Sequence, residues 1–264
     1  MNQYDLIEKV VAIALEAGHA IMKVYDGEIA VSRKEDDSPL TQADLAAHHV
    51  IEEGLSQLMP KLPILSEESV ALPYAERKTW GTYWLVDPLD GTREFIKRNG
   101  EFTVNIALIE NHEPALGVVY APALDLLFYA AKGKGAFRKL GSKPPQLIQA
   151  RAFDATQVTV AGSRSHAGER LISFLSNMGP HMLISMGSSL KICLVAEGRA
   201  DVYPRLGPTS EWDTAAAQCV LEEAGGRLVG TDNLPFRYNT KESLLNPDFF
   251  ATGATGHDWS QYLK

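Results

Sequence analysis

Trp84-Leu85-Val86-Asp87-Pro88-Leu89-Asp90-Gly91-Thr92 is the stretch on which the fold turns. An apolar run of strand length stops at two carboxylates, a proline, a glycine and a hydroxyl. Pro88 fixes its own φ and removes a donor, and Gly91 permits a sharp bend. A stiff turn at the end of a buried strand holds two acidic groups within a few ångströms of each other. Carboxylates that close repel unless a cation lies between them or one is protonated. Hard oxygen ligands on a rigid loop suit Mg²⁺, which keeps waters and also takes phosphate oxygens from a substrate. The fragment reads equally as an ordinary turn, because Asp and Thr side chains often bond their own loop backbone.

Two known motifs do not fit. An EF-hand loop needs oxygen ligands at alternate positions, and here Asp90 follows Asp87 by three. The Asp-x-Asp-Gly-Thr pattern of haloacid-dehalogenase phosphatases fails on the same extra residue. That residue is expected to move the second carboxylate to a different face of the chain.

Outward from this stretch, Leu62-Pro63-Ile64-Leu65-Ser66-Glu67-Glu68 is a second short apolar strand ending in carboxylates. Glu211-Trp212-Asp213-Thr214-Ala215-Ala216-Ala217 puts acids at a helix start, where Asp213 alone reads as a cap or first-turn acid. In this order and at these separations, the three segments resemble the lithium-sensitive, magnesium-dependent phosphatases. That superfamily includes inositol monophosphatases, fructose bisphosphatases and bisphosphate nucleotidases. The resemblance covers nearly the whole chain, to Asn246-Pro247. It implies an α+β (α/β) fold, a layered αβαβα sandwich of the inositol monophosphatase/fructose-1,6-bisphosphatase type, with a metal site between its halves. On the matching positions Glu67, Asp87 and the main-chain carbonyl of Leu89 would hold one metal. Asp87, Asp90 and Asp213 would hold a second, and Glu67 would help hold a third through water, so two to three Mg²⁺ ions are expected.

Composition is that of a soluble globular protein: 45% of the 264 residues are apolar and 22% charged. No run of eighteen apolar residues offers a membrane span. Asp5, Glu8, Lys9 and Glu16 in the first helix do not fit a secretory leader. A cytoplasmic location is expected, with peripheral association with the inner membrane as an option taken from bacterial relatives. The formal charge of −8 argues against nucleic-acid binding. It does not exclude a small phosphorylated substrate, since bound cations reverse the local field. A monomer is expected rather than a homodimer. Cys193 and Cys219 lie in apolar helical stretches and read as core residues.

Periodicity predicts helices over 5–25 and 41–58 and strands at 62–66, 83–87, 102–109, 114–120 and 126–131. Lys139 to Pro145, with Gly, Ser and two prolines, precedes a boundary between an N-terminal domain, 1–148, and a C-terminal domain, 149–264. The second part alternates strand and helix, as an α/β unit does.

Thr41-Gln42-Ala43-Asp44 is a capping box at a helix start, so Asp44 reads first as a structural residue. In the resembling phosphatases an Asp here bonds the Thr of Asp-Gly-Thr, here Thr92, and the pair orients the attacking water, with Glu67 beside it. Two segments resemble the 3′(2′),5′-bisphosphate nucleotidase branch. Asp90-Gly91-Thr92-Arg93-Glu94-Phe95-Ile96 matches its Asp-Gly-Thr-Lys-Glu-Phe-Ile, with Arg93 for Lys, where inositol phosphatases typically have Asn-Phe-Val-His. Gly187-Ser188-Ser189-Leu190-Lys191 is the other, with Asp201-Val202-Tyr203-Pro204-Arg205. In this branch the substrate would touch Glu67, Leu89, Asp90, Gly91, Thr92 and Asp213. Ser188 and Lys191 would meet a second phosphate, and Arg205 and His166 would flank the base. Lone basic residues are otherwise solvated surface, and His166 is otherwise an exposed loop histidine. The expected reaction is hydrolysis of adenosine 3′,5′-bisphosphate to AMP and phosphate, which removes a by-product of sulfate activation. An inositol monophosphatase, or a non-catalytic nucleotide or metal sensor on the same scaffold, are the alternatives.

Overall fold

Val10, Ala14, Ala17 and Ile21 recur at helical spacing and are fully buried, and Gln3–Tyr25 forms one helix, α1. The computed structural model describes residues 3–27, 31–33, 39–69, 72–163, 168–254 and 256–263. A two-stranded ribbon, β1 Val31–Arg33 and β2 Pro39–Thr41, leads into α2, Gln42–Ser56. Then come β3 Ile64–Ser66, the short helix α3 Tyr74–Arg77, β4 Thr82–Asp90 and a second short helix, α4 Thr92–Ile96. Strands β5 Thr103–Glu110, β6 Glu113–Ala121, β7 Leu126–Ala131, β8 Ala136–Leu140 and β9 Gln146–Ile148 follow. The remaining elements are β10 Thr159–Ser163, α5 Glu169–Met178, β11 Met182–Met186, α6 Leu190–Ala196, β12 Val202–Arg205, α7 Ala215–Glu223, β13 Arg227–Gly230 and β14 Phe249–Thr252.

The large sheet runs β3 to β9 in sequence order. Only β3 and β4 pair in parallel; the rest is antiparallel. The small sheet has the order β11-β10-β12-β14-β13, with β10 parallel to both neighbours and β14 antiparallel to both of its own.

Side chains alternate across a strand, and β4 shows how the layers follow. Trp84 and Val86 join α1 and α2 in one apolar cluster. Tyr83 and Leu85 face the other way, into a cluster with α6, α7 and the inner face of the small sheet. Burial on both faces explains why β4 reads as an unbroken apolar run. On the outer face of the small sheet, Leu171 and Phe174 of α5 pack against Val160, Val202 and Phe250. The result is an αβαβα stack, with α6 and α7 as its middle layer. Cys193 and Cys219 are buried in that layer. Among the described residues no helix is long and apolar enough to cross a membrane.

β8 and β9 were not legible in the sequence. Their side chains are largely half-buried or exposed, so they lack the alternation that marks an inner strand.

Candidate active site

The site begins at an irregularity in β4. Asp87 pairs with Asn105 and Asp90 with Thr103, so the four residues Asp87–Asp90 of β4 oppose the three of Thr103–Asn105 in β5. This is a bulge. In a regular strand, positions three apart point to opposite faces, and the sequence reading expected that separation here. The bulge absorbs the extra residue and returns both carboxylates to one side. Gly91 then turns the chain at φ +93°, where a Cβ would press on Glu101 O at 3.3 Å and Ser188 Cβ at 3.4 Å. Only glycine suits that combination of sign and space. Thr92 starts α4 directly after it.

Each acidic side chain is steered by a backbone N–H. Leu89 N donates to Asp87 Oδ1 at 3.0 Å. Ser189 N donates to Asp90 Oδ2 at 2.6 Å. Ser210 N donates to Asp213 Oδ2 at 2.8 Å, closing a capping box on the 3-10 turn Glu211–Asp213 that precedes α7. Asp44 repeats the device at α2. Its Oδ2 accepts from Thr41 N at 2.8 Å and from Thr41 Oγ1 at 2.6 Å, and its Oδ1 accepts from Thr92 Oγ1 at 3.3 Å. Capping and contact with Thr92 therefore coexist, one oxygen for each.

Asp87, Asp90 and Asp213 each bring a carboxylate oxygen to within 4.8 Å of the others. Glu67, which follows Ser66 at the end of β3 and donates its N–H to Val86 O at 3.1 Å, stands beside them. Burial and this crowding push Asp87 well above the usual carboxylate range. Burial pushes Asp90 up to about 6 against the pull of Lys191 and the Ser189 N–H. Burial, then the charge of Asp90, pushes Asp213 up to about 8. Converging hard oxygens whose charge is uncompensated are the donor set of a divalent cation site.

Glu67, Asp90, Gly91, Thr92, Ser188, Lys191, Arg205 and Asp213 all line one cleft of about 660 Å³. Asp87 and Leu89 are buried in its floor strand. His166 lies outside the described residues. Lys191 is not a solvated surface residue: it is 6% exposed and donates to the carbonyls of Ser188 at 2.6 Å and Met186 at 3.3 Å. Burial pulls its pKa down to about 8 although Asp90 opposes the shift. Ser188 sits at φ +46°; its hydroxyl and the Nε of Arg205 are sequestered and have no hydrogen-bond partner among the described residues.

The comparisons with known proteins bear on the same segments. The inositol monophosphatase family model matches residues 2–258. The chain belongs to the inositol monophosphatase family. Within it, the chain is 52% identical, over 94% of its length and 99% of the relative's, to the 3′(2′),5′-bisphosphate nucleotidase CysQ of Salmonella typhimurium. It is 50% identical to the Escherichia coli K12 protein of the same name, over 92% of the chain and 98% of the relative. The crystal structure of CysQ from Bacteroides thetaiotaomicron superposes with a TM-score of 0.85 at 40% identity, covering 97% of this chain and all of that one. An inositol monophosphatase of Thermotoga maritima shares the fold, with a TM-score of 0.81 at 24% identity and coverage of 98% of this chain and 96% of that one.

Sequence reasoning passed over several side chains that complete this inositol monophosphatase site. Ser189 Oγ donates to Asn105 Oδ1 at 2.8 Å and meets Thr103 Oγ1 at 2.9 Å, tying the start of α6 to β5 beside the bulge. Glu101 Oε2 accepts from Gly187 N at 2.8 Å. The Asn246 amide reaches Ser210 O at 2.7 Å, Thr214 Oγ1 at 3.1 Å and Thr209 Oγ1 at 3.2 Å, pinning the segment that carries Asp213. Ser189 lay inside a quoted segment and Asn246 marked the end of the resemblance, whereas Glu101, Thr103 and Asn105 carried no local signal.

Proposed function

We propose that the protein is a Mg²⁺-dependent 3′(2′),5′-bisphosphate nucleotidase that hydrolyses adenosine 3′,5′-bisphosphate to AMP and phosphate. The observation that carries this reading is a cleft holding both the Asp87–Asp90–Asp213 cluster and three cations, Arg93, Lys191 and Arg205, the last two on α6 and β12, away from the carboxylates' own strand. A substrate with two phosphates needs two seats. The nucleotidase name of relatives about half identical over nearly the whole chain supports the same substrate class.

Glu67, Asp87, Asp90, Asp213 and the Leu89 carbonyl would hold two to three Mg²⁺ ions. When bound, these ions would neutralise the carboxylates, clamp the phosphate oxygens and stabilise the departing alkoxide. Thr92 donates a hydrogen bond to Asp44, which leaves the threonine oxygen to accept one from the attacking water. As that water attacks phosphorus in line, a proton passes to Thr92 and the threonine proton to Asp44. The ester P–O bond breaks and the 3′ oxygen leaves, taking a proton from solvent water in the cleft, and Asp44 returns its proton to solvent through Thr92.

The second phosphate would meet side chains rather than a bare helix end. The N–H groups of Gly187 and Ser189 are already taken by Glu101 and Asp90. Among the described residues, the Ser188 hydroxyl, the Arg205 guanidinium and the third N–H of Lys191 are donors that could meet it.

Phosphate release from adenosine 3′,5′-bisphosphate and from inositol 1-phosphate, each with Mg²⁺ or with EDTA, tests the reading. Mg²⁺-dependent turnover favouring the bisphosphate is expected. Preference for inositol 1-phosphate would move the chain to the inositol branch. Binding without turnover would make it a sensor.

A further inference from the structure

The outer turn of α2 carries metal-ligating chemistry that the phosphatase reaction does not use. His48, His49 and Glu52 each place one potential ligand atom within 4.8 Å of the other two. Glu52 follows His48 by four residues and His49 by three, the two spacings that bring side chains together on a helix. His48 Nε2 lies 3.7 Å from Glu52 Oε2, and the two imidazole centroids are 5.6 Å apart.

The three residues differ in exposure. His48 is 8% exposed, and its Nδ1 lies 3.0 Å from Ser66 Oγ. With Nδ1–H donated to Ser66, Nε2 is left bare on the side of Glu52. Metal-binding histidines are commonly held by such a bond from the other ring nitrogen, which fixes ring and tautomer. Burial holds the His48 pKa below its ordinary value even though Glu52 pulls the other way, so the ring is neutral at physiological pH. His49 and Glu52 are exposed and have room to swing towards His48.

From this geometry we infer that His48, His49 and Glu52 form a second cation site, for a borderline-soft divalent ion such as Zn²⁺ or Co²⁺. Two imidazoles and one carboxylate suit such ions and not Mg²⁺, which takes oxygen ligands. The two sites therefore differ in chemistry as well as place: all-oxygen in the cleft, nitrogen-rich on α2. The ion would lie one helical turn beyond Asp44 and against Ser66, the residue before Glu67. The inference does not rest on the proposed substrate.

The test is Zn²⁺ titration by calorimetry of the full chain held in saturating Mg²⁺, for wild type, His49→Ala, Glu52→Gln and Asp90→Asn. Circular dichroism verifies that each variant is folded. Wild type and Asp90→Asn should bind one more equivalent of Zn²⁺ than His49→Ala, with Glu52→Gln weakened. Added Co²⁺ should broaden the imidazole proton resonances of His48 and His49 in wild type. Equal Zn²⁺ stoichiometry in wild type and His49→Ala, or His48 and His49 resonances that Co²⁺ leaves sharp, would overturn the assignment. Activity is not the readout, so failure here is separate from failure of the nucleotidase reading.

Discussion

Asp44 divides its two oxygens between two tasks, and substitutions should separate them. Oδ2 caps α2 and Oδ1 receives the Thr92 hydroxyl. Asp44→Asn keeps one carbonyl oxygen for the cap but turns an amide towards Thr92, so kcat should fall with little change in stability. Asp44→Ala removes both tasks and should also cost about 1 kcal/mol of stability, the usual loss for a helix cap. Matching kcat between wild type and both variants would leave Asp44 a cap alone. Thr92→Ala should lower kcat by ~10²–10⁴-fold, the range for a lost proton-handling group, and Thr92→Ser should restore most of it. Wild-type kcat in Thr92→Ala would remove the residue from the chemistry. The charge on Arg205 is argued to read the second phosphate. Arg205→Gln should therefore raise KM for adenosine 3′,5′-bisphosphate roughly ten- to hundredfold, the equivalent of about 1.5–3 kcal/mol for a charge-assisted contact. A monophosphate substrate should be nearly indifferent; equal losses on both would place the second seat elsewhere.

At the scale of elements, what could be read beforehand depended on whether the governing interaction was local. The helices α1 and α2 and the inner strands follow from spacing, because burial imposes the period directly. The capping box at Thr41–Asp44 is a four-residue pattern and was legible for the same reason. The bulge in β4 was not. It depends on the register of β4 against β5, which no residue of Asp87-Pro88-Leu89-Asp90 specifies alone, and the separation of the carboxylates was misjudged as a result. Neither was the burial of Lys191, which needs Met186, Ser188 and the Tyr203 ring, 5.3 Å from its Nζ. Asn246 illustrates the same limit: its amide acts on a segment more than thirty residues earlier. Asn246→Ala should free the 209–214 segment and with it Asp213. The Mg²⁺ concentration for half-maximal activity should rise roughly ten- to hundredfold, as for other supports of metal ligands, while kcat at saturating Mg²⁺ stays close to wild type. A fall in melting temperature with unchanged Mg²⁺ dependence would make Asn246 a general stabilising residue only.

At the scale of the whole molecule, the carboxylate cluster joins parts that are distant in the chain. Asp87 and Asp90 belong to the large sheet, and Asp213 to the turn before α7 in the middle layer. Without a cation, folding presses these charges together. The unfolded chain titrates its aspartates at about 3.9, whereas folding raises Asp90 to about 6 and Asp213 to about 8. Between the unfolded and folded values the native state holds more protons than the unfolded state, so stability falls as pH rises. The penalty is absent below about pH 4, where both states are protonated, and the share from Asp213 is complete above its folded pKa of about 8, while Asp87, also raised, adds in the same direction. Bound Mg²⁺ would displace those protons and neutralise the cluster. It should also stabilise by mass action, by about 2.7 kcal/mol at a hundredfold excess over its Kd. Melting temperatures measured from roughly pH 5 to pH 9, a range that spans both folded values, in EDTA and in saturating Mg²⁺ should therefore diverge. The EDTA curve should fall with rising pH, and the gap between the two should widen at least to about pH 8, the folded value of Asp213. Curves that coincide across this range would mean that the three aspartates hold no cation, and the metal-dependent reading of the cleft would go with them.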